Sequence, residues 1–330
     1  MVRRGLRVES PAALEARWGG SARVKISILG LARIAIVIVT YNSAAVLAEC
    51  LGSLPEGSRG VNLTQVVVAD NASQDESAQI AENAGAQLVQ TGRNAGYAAA
   101  INAGLATLDL DQLDGVMVLN PDCKVHPGAL AVLAGALQEP DRGIVVPRLT
   151  KPDGSLQPSL RREATVHAAF AEAVIGGSLS GRIGSFGEVI TDPRHYERAG
   201  TFAWATGAAM LLGTEAIRQL GPWDESFLLY SEETEYALRA ADQGWMLWYE
   251  PTAVVEHIGG ESGTNPMLAA LLMVNKVRLF RRRRGRTASA AYYLCIVLGQ
   301  SVRAAMGSRT ARAALVALLF PSRRIRELPQ

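Results

Sequence analysis

The chain predicts an α/β fold: a mainly parallel central sheet flanked by helices, with a helical extension at its C-terminal end. Three observations carry this. Short apolar runs rich in β-branched residues alternate with helical segments through residues 34–122. Polar clusters, Thr40-Tyr41-Asn42, Asp70-Asn71-Ala72-Ser73 and Asn120-Pro121-Asp122, each follow the end of such a run. From Pro266 the pattern turns helical and basic.

Residues 1–33 have no steady period and contain Gly19-Gly20-Ser21, so they read as an extension, in part disordered. They are basic but lack the apolar stretch of a signal peptide. Ile34–Val39 is a strand buried on both faces. A helix over Ala44–Leu54 follows, then a strand over Gln65–Asp70 and a helix over Asp75–Ala84, where Asp75 can cap the N-terminus. Gln87–Gln90 is a short strand, Asn94–Leu108 a small-residue helix, and Gly115–Asp122 a strand ending in an acid. Strand–helix alternation places the sheet in the middle. Ligands of such sheets bind in the crevice at the carboxyl ends of the strands, where the three polar clusters lie.

Residues 151–200 are rich in Gly, Pro and charge and read as loops over that crevice. Gly207–Gly213 is a strand, Ser231–Trp245 a helix ended near Gly244, and Trp245–His257 two short strands. Two short apolar helices lie around 288–306 and 310–320. The expected organisation is therefore an extension over 1–33, a catalytic α/β domain over 34–265 and a basic helical extension over 266–330.

A hydrophobic content of 48% supports a large core. The cysteines Cys50, Cys123 and Cys295 lie far apart without CxxC spacing, which argues against a disulfide framework and for a reducing compartment. The apolar run Ala290–Leu298 falls short of the roughly 20 residues a spanning helix needs. Charge is split along the chain. Residues 34–270 carry 28 acids against 13 Lys/Arg, and residues 271–330 carry 13 Lys/Arg against one acid. Such a tail suits the anionic inner face of a cell membrane, giving a cytoplasmic, peripheral protein. The alternative is a basic tail that packs against the acidic body.

Six segments together resemble one family: IVIVTYNSAAVLAECLGSL from Ile36, VVVADNASQDES from Val66, GRNAGYAAAINAGL from Gly92, VLNPD from Val118, LLYSEETEYALRAADQGW from Leu228 and VVEHIGGES from Val254. In this order they resemble the family 2 inverting glycosyltransferases of the GT-A fold, in particular bacterial rhamnosyltransferase-like enzymes of cell-wall and polysaccharide assembly. The Glu232–Arg239 stretch is also similar to the galactofuranosyltransferases. The resemblance implies transfer of a sugar, rhamnose first, from a dTDP or UDP donor to a hydroxyl of a lipid-linked saccharide, using Mg²⁺ or Mn²⁺. Galactofuranosyl or other hexosyl transfer is the alternative, and a non-catalytic sugar-nucleotide-binding protein of the same fold is the reading from another class.

The resemblance assigns roles residue by residue. Asp70, with Thr40, Tyr41, Asn42 and Asn71, would meet the base; a carboxylate can accept the imide N–H of uracil or thymine. An Asx turn is the plainer reading of that cluster. Arg93, Asn94 and Gly96 open a helix whose N-terminal N–H groups and dipole suit a diphosphate. Asn120 and Asp122 stand where the family has its DxD metal motif, with one acid of two present. His257 stands at the family's metal-binding histidine, so Asp122 and His257 would hold the cation. Glu232 and Glu233 replace the family's Glu-Asp, and Glu233 by position is the base that takes the acceptor's proton. Asp224 is a weaker base candidate that also reads as a turn cap. Trp204, Thr206 and Gly207 resemble the acceptor-side segment, with core packing an equal reading for Trp204. Glu235 and Arg239, spaced i,i+4, read as a helix-surface pair.

Other classes fit less well. A dinucleotide oxidoreductase needs GxGxxG after the first strand, where TYNSAAV stands. The run Arg281–Arg284 lacks the interleaved aromatics of a nucleic-acid binder.

Overall fold

A computed structural model describes residues 30–181, 186–259 and 265–328. The expected extension lies outside these residues up to position 29, as does Gly260. The chain divides into Met1–Leu31 and Ala32–Gln330, and the second unit carries everything below.

The first strand, β1 (Arg33–Thr40), is buried on both faces, as its β-branched run requires. Ile34, Ile36 and Ile38 enter one core, and Ala35, Val37 and Val39 the other. Helices α1 (Ala44–Gly57) and α4 (Ala129–Leu137) cover the first face. The second is covered by α3 (Tyr97–Leu105), α6 (Thr214–Leu220) and α7 (Glu232–Asp242). Between them run β2 (Asn62–Asp70), α2 (Ser77–Asn83), β3 (Gln87–Gln90), β4 (Gly115–Leu119), β5 (Cys123–Val125) and β6 (Arg142–Thr150). Next come β7 (Leu160–Arg161), α5 (Val166–Ile175), β8 (Gly200–Phe202), β9 (Trp204–Ala205), β10 (Ala209–Gly213) and β11 (Met246–His257).

Among the described residues nine strands form one sheet in the order β3-β2-β1-β4-β10-β6-β11-β5, with β8 on β11. The first four are parallel, as expected. The other half is mixed: β10 runs antiparallel between β4 and β6, and β5 antiparallel to β11. These reversals place the site. Because β10 pairs Ala209 with Leu119, the segment leading into it arrives beside the loop leaving β4, and Asn120 N–H donates to Ala208 O at 2.8 Å. Pairing of β5 with β11 sets His257 opposite Cys123.

Two expectations need correction. Residues 151–200 are not loops throughout: α5 forms because Thr165 Oγ1 accepts from Ala168 N–H at 3.2 Å and Ala168, Ala169 and Ala173 are buried. Where two short strands were expected over Trp245–His257, the single strand β11 runs over Met246–His257, with its register shifted between Glu250 and Val254, around Pro251.

Helices α8 (Pro266–Arg283), α9 (Arg286–Ala305) and α10 (Arg309–Leu319) close a third core with α5, in which the Phe280 and Tyr292 rings stack at 4.0 Å. Several of their cations pair with the acidic body: Lys276 with Glu188 at 2.6 Å, Arg282 with Asp224, Arg283 with Asp242 at 2.7 Å and Arg284 with Glu163 at 2.8 Å. Packing against the body thus uses part of the basic tail. Among the described residues no helix is long and apolar enough to cross a membrane.

Candidate active site

A cavity of ≈ 720 Å³ lies at the carboxyl end of β4 and runs beneath α5, α8 and α9. Of the residues singled out in the sequence, it gathers Tyr41, Asn42, Asn120, Asp122, Trp204, Thr206, Gly207, Glu232, Glu233 and His257.

Asp122 and His257 meet at one end. Asp122 Oδ1 lies 3.4 Å from His257 Nε2, and Oδ2 accepts the Gly259 N–H at 2.8 Å. Burial opposes the charge of Asp122, but the His257 ring and the Gly259 N–H outweigh it and hold the carboxyl below its ordinary value. On the far side of the ring, His257 Nδ1 stands 3.1 Å from Gln157 Oε1, which can only accept, so Nδ1 carries the proton. Nε2 then faces the space shared with Asp122, with Asn120 Nδ2 at 3.4 Å, and a proton there bonds to the carboxylate until a cation takes its place. Fixed from behind in this way, the ring presents Nε2 to a cation. Cys123 Sγ belongs to the same cluster, but it is fully buried and donates to Ala208 O at 3.3 Å. The available donors, one carboxylate oxygen and one imidazole nitrogen, fit Mg²⁺ or Mn²⁺ completed by diphosphate and water oxygens.

Glu232 and Glu233 open α7 in the same cavity. Each has one carboxylate oxygen buried without a hydrogen-bond partner. Burial pushes both carboxyls up, Glu232 further because the Glu233 charge adds to it, whereas Arg161 partly offsets the rise at Glu233. Both acids thus resist ionisation in the cavity, Glu232 the more strongly. Gly207 is where a side chain would crowd Glu233: a Cβ there would stand 3.4 Å from Glu233 Cβ. Its carbonyl lies 2.9 Å from the Tyr97 hydroxyl, which also lies 2.8 Å from Asn120 Oδ1. Tyr97 therefore links Asn120, beside His257, to Gly207, beside Glu233.

The approach to α7 is strained. Leu228, Tyr230 and Ser231 all have positive φ, and Leu229 N–H bonds back to Phe227 O at 2.7 Å in a γ-turn centred on Leu228. Such residues cost of order 1 kcal/mol each and persist only when held. Asn275, buried on α8, does the holding: its Nδ2 donates to the carbonyls of Phe227, Leu229 and Tyr230 at 2.7, 2.9 and 3.2 Å.

Thr40, Asp70, Asn71, Arg93, Asn94 and Gly96 do not line the cavity. Asp70 is fully buried and accepts from Thr40 Oγ1 at 2.8 Å, from Ser73 N–H at 3.0 Å and from Ser73 Oγ. Asp75 joins two helices, accepting from Ala44 N–H at 2.9 Å and Ser77 N–H at 3.0 Å. Arg93 is exposed and Asn94 buried. Gly96 has φ 97°, and a Cβ there would meet Leu228 O at 2.1 Å. Close approach of the strained segment therefore requires this glycine. The first N–H of α3, on Tyr97, is spent on Leu228 O at 2.8 Å. Asp224 lies outside the cavity, where it caps Ser226 N–H at 2.9 Å and pairs with Arg282, which favours its capping role. Glu235 and Arg239 pair at 2.9 Å as expected.

Comparison with known proteins decides the family. Residues 35–216 match glycosyl transferase family 2. The chain belongs to this family. It is 30% identical over 243 residues to the N-acetylglucosaminyl-diphospho-decaprenol L-rhamnosyltransferase of Mycobacterium tuberculosis, covering 70% of this chain and 78% of that protein. It is 28% identical over 210 residues to the low-salt glycan biosynthesis hexosyltransferase Agl10 of Haloferax volcanii, covering 63% and 61%. Among solved structures the fold is similar to GalNAc-T7 with UDP, GalNAc and Mn²⁺ (TM-score 0.57, 17% identity, 76% of this chain and 48% of that one). It is also similar to the mannosyltransferase PcManGT of Pyrobaculum calidifontis with GDP-Man and Mn²⁺ (TM-score 0.51, 17% identity, 91% and 82%). The fold is thus of the GT-A type, and the protein is a glycosyltransferase. The acid pair and the histidine share one cavity. Tyr97 and Arg161 line that cavity too, while Gln157 and Asn275 support it from behind. Tyr97 was visible only as part of the segment from Gly92, and Gln157, Arg161 and Asn275 stand in no motif with a spacing of its own.

Proposed function

We propose that this glycosyltransferase moves rhamnose, with inversion, from a dTDP or UDP donor to a hydroxyl of a lipid-linked saccharide at a membrane surface. The observation that carries the chemistry is the single cavity lined both by a buried acid pair, each with one unpartnered oxygen, and by a carboxylate–imidazole pair. Glu233 accepts the proton of the acceptor hydroxyl as its oxygen attacks the anomeric carbon. The bond from that carbon to the donor's diphosphate breaks, and the nucleoside diphosphate leaves with the electron pair. Glu232 keeps its proton and so adds no second charge beside the base. Asp122 and His257 would hold Mg²⁺ or Mn²⁺, which supplies Lewis-acid neutralisation of the leaving diphosphate.

Support for the sugar and the acceptor comes from the mycobacterial relative, whose name specifies both. For the nucleobase, Asp70 Oδ2 accepts one hydrogen bond from the protein, which leaves acceptor capacity for a pyrimidine imide N–H. Arg93 and the N-terminus of α3 are the proposed diphosphate contacts. Support for membrane association comes from apolar side chains left in solvent on neighbouring helices, Phe170 and Val174 on α5 and Leu294, Val302 and Met306 on α9, beside a basic tail. This points to the cytoplasmic face, where anionic lipid attracts such a tail.

The test is transfer of labelled sugar into butanol-extractable lipid, with N-acetylglucosaminyl-diphospho-polyprenol as acceptor and Mn²⁺ present. Label from dTDP-rhamnose should appear in the lipid. Incorporation from UDP-galactofuranose or a hexose donor with none from dTDP-rhamnose would overturn the choice of sugar.

A further inference from the structure

Beyond Glu233 the cavity continues under α5, α8 and α9, and this far half holds a cation that no carboxylate contacts directly, although the Glu233 charge lies within its electrostatic reach. Lys276, Arg283 and Arg284 line it too, but each ends on a carboxylate. Among the described residues Arg161 forms no ion pair. Its Nη1 donates to Pro158 O and Leu160 O, both at 3.0 Å, and its guanidinium lies 5.7 Å from the Trp204 ring centroid. Its backbone is pinned between Trp204 on β9 and Val189. Among the described residues the remaining donors, Nε and Nη2, have no hydrogen-bond partner. A guanidinium placed this firmly presents a preformed fork, the geometry that suits a phosphate. A partly buried cation without a partner is costly unless a ligand completes it. The wall around it joins apolar side chains, Leu272, Leu279 and Phe280, to carboxylates that are already engaged: Glu188 by Lys276, Glu163 by Arg284 and Glu172 by the Glu188 N–H.

We propose that this far half is a prenyl-diphosphate subsite, in which Arg161 binds a phosphate of the acceptor and the apolar wall takes the first isoprenoid units. The inference rests on the lipid-linked reading of the acceptor. It adds where the anionic group binds, on the opposite side of the base from the cation site. Glu233 then meets a hydroxyl of the sugar next to that phosphate.

The probe is farnesyl diphosphate, titrated calorimetrically into the full chain with EDTA present, so that binding through a metal is switched off. The native protein should bind it, and Arg161→Gln should weaken binding roughly 10- to 100-fold, the effect of losing a charged hydrogen bond. Inorganic pyrophosphate should bind more weakly than farnesyl diphosphate and show the same loss. Farnesol should bind both proteins alike. Arg198→Gln, which removes an exposed charge elsewhere, should change nothing. A matching thermal midpoint and matching Mn²⁺-dependent nucleotide binding would show that Arg161→Gln is folded. Equal binding of farnesyl diphosphate by native and Arg161→Gln proteins would overturn the proposal. So would absence of binding to the native protein, or an equal loss in Arg198→Gln. An intact Arg161 effect on binding alongside failed rhamnosyl transfer would count against the transfer reading alone.

Discussion

The two walls of the cavity are built by different means. One is made of backbone at strand ends: Tyr41 and Asn42 follow β1, Asn120 and Asp122 follow β4, and His257 ends β11. The other is assembled from segments far apart in sequence. Arg161 comes from a two-residue strand, Glu233 from the start of α7, and the groups that hold or surround them from α5, α8 and α9. The first wall needs only the sheet to be correct. The second depends on long-range packing, and it holds three residues at positive φ, Leu228, Tyr230 and Ser231, with the unpartnered carboxylate oxygens and the unpaired cation. The first wall has one cavity residue at positive φ, Asn42, a residue type that visits this region at little cost. In this family 2 enzyme most of the cost of organising the site thus falls on the side of the proposed base, which is also the side proposed to meet the acceptor.

The largest expected effect lies on that side. Glu233→Gln keeps size and hydrogen bonding but removes basicity, so turnover should fall about 10²- to 10⁴-fold. Donor binding, measured by thermal shift with Mn²⁺, should change little. The native pH–rate profile should agree. The base must be ionised to act and burial holds its carboxyl up, so turnover should rise with pH along a limb above the ordinary glutamate value of 4.5. A limb at or below that value, or a nearly active Gln variant, would remove Glu233 from this role.

On the opposite wall, Gln157→Ala should release the His257 ring and weaken Mn²⁺ affinity about 10- to 100-fold, as loss of a group behind a metal ligand commonly does. Turnover should recover at high Mn²⁺. Failure of added metal to restore it would mean that Gln157 acts on something other than the histidine.

Asn275→Ala sharpens the contrast, because it touches no substrate. Three carbonyls of the strained segment lose their donor, which should cost roughly 1–3 kcal/mol of stability. Turnover should drop with little change in KM for the donor. Asn275→Asp should not rescue it, since a carboxylate cannot donate to those carbonyls. Retention of full turnover would show that the Leu228–Ser231 segment holds its shape without the clamp.

The same contrast explains what the sequence disclosed. The parallel half of the sheet and the site residues at strand ends are local patterns: a β-branched run, then two or three polar residues. The antiparallel insertion of β10 was not legible, because Gly207–Gly213 reads as a strand in either direction and only its partner decides. Helix α5 was hidden in a segment whose Gly, Pro and charged residues dominate its composition, although Thr165 before an alanine-rich run was a cap signal. Arg161, Gln157 and Asn275 carry no spacing of their own; they become functional when β7 meets β9 and α8 meets the Phe227–Tyr230 turn. Asp224, equally acidic in the sequence, is drawn off by Arg282.

The central claim is that one buried base drives a single displacement in this cavity. The most direct measurement is the anomeric configuration of the first-formed product, read by proton NMR before any equilibration. Direct displacement gives a configuration opposite to that of the donor. A product that keeps the donor's configuration would contradict it, since retention requires a second displacement or a different attack geometry from the one Glu233 supports.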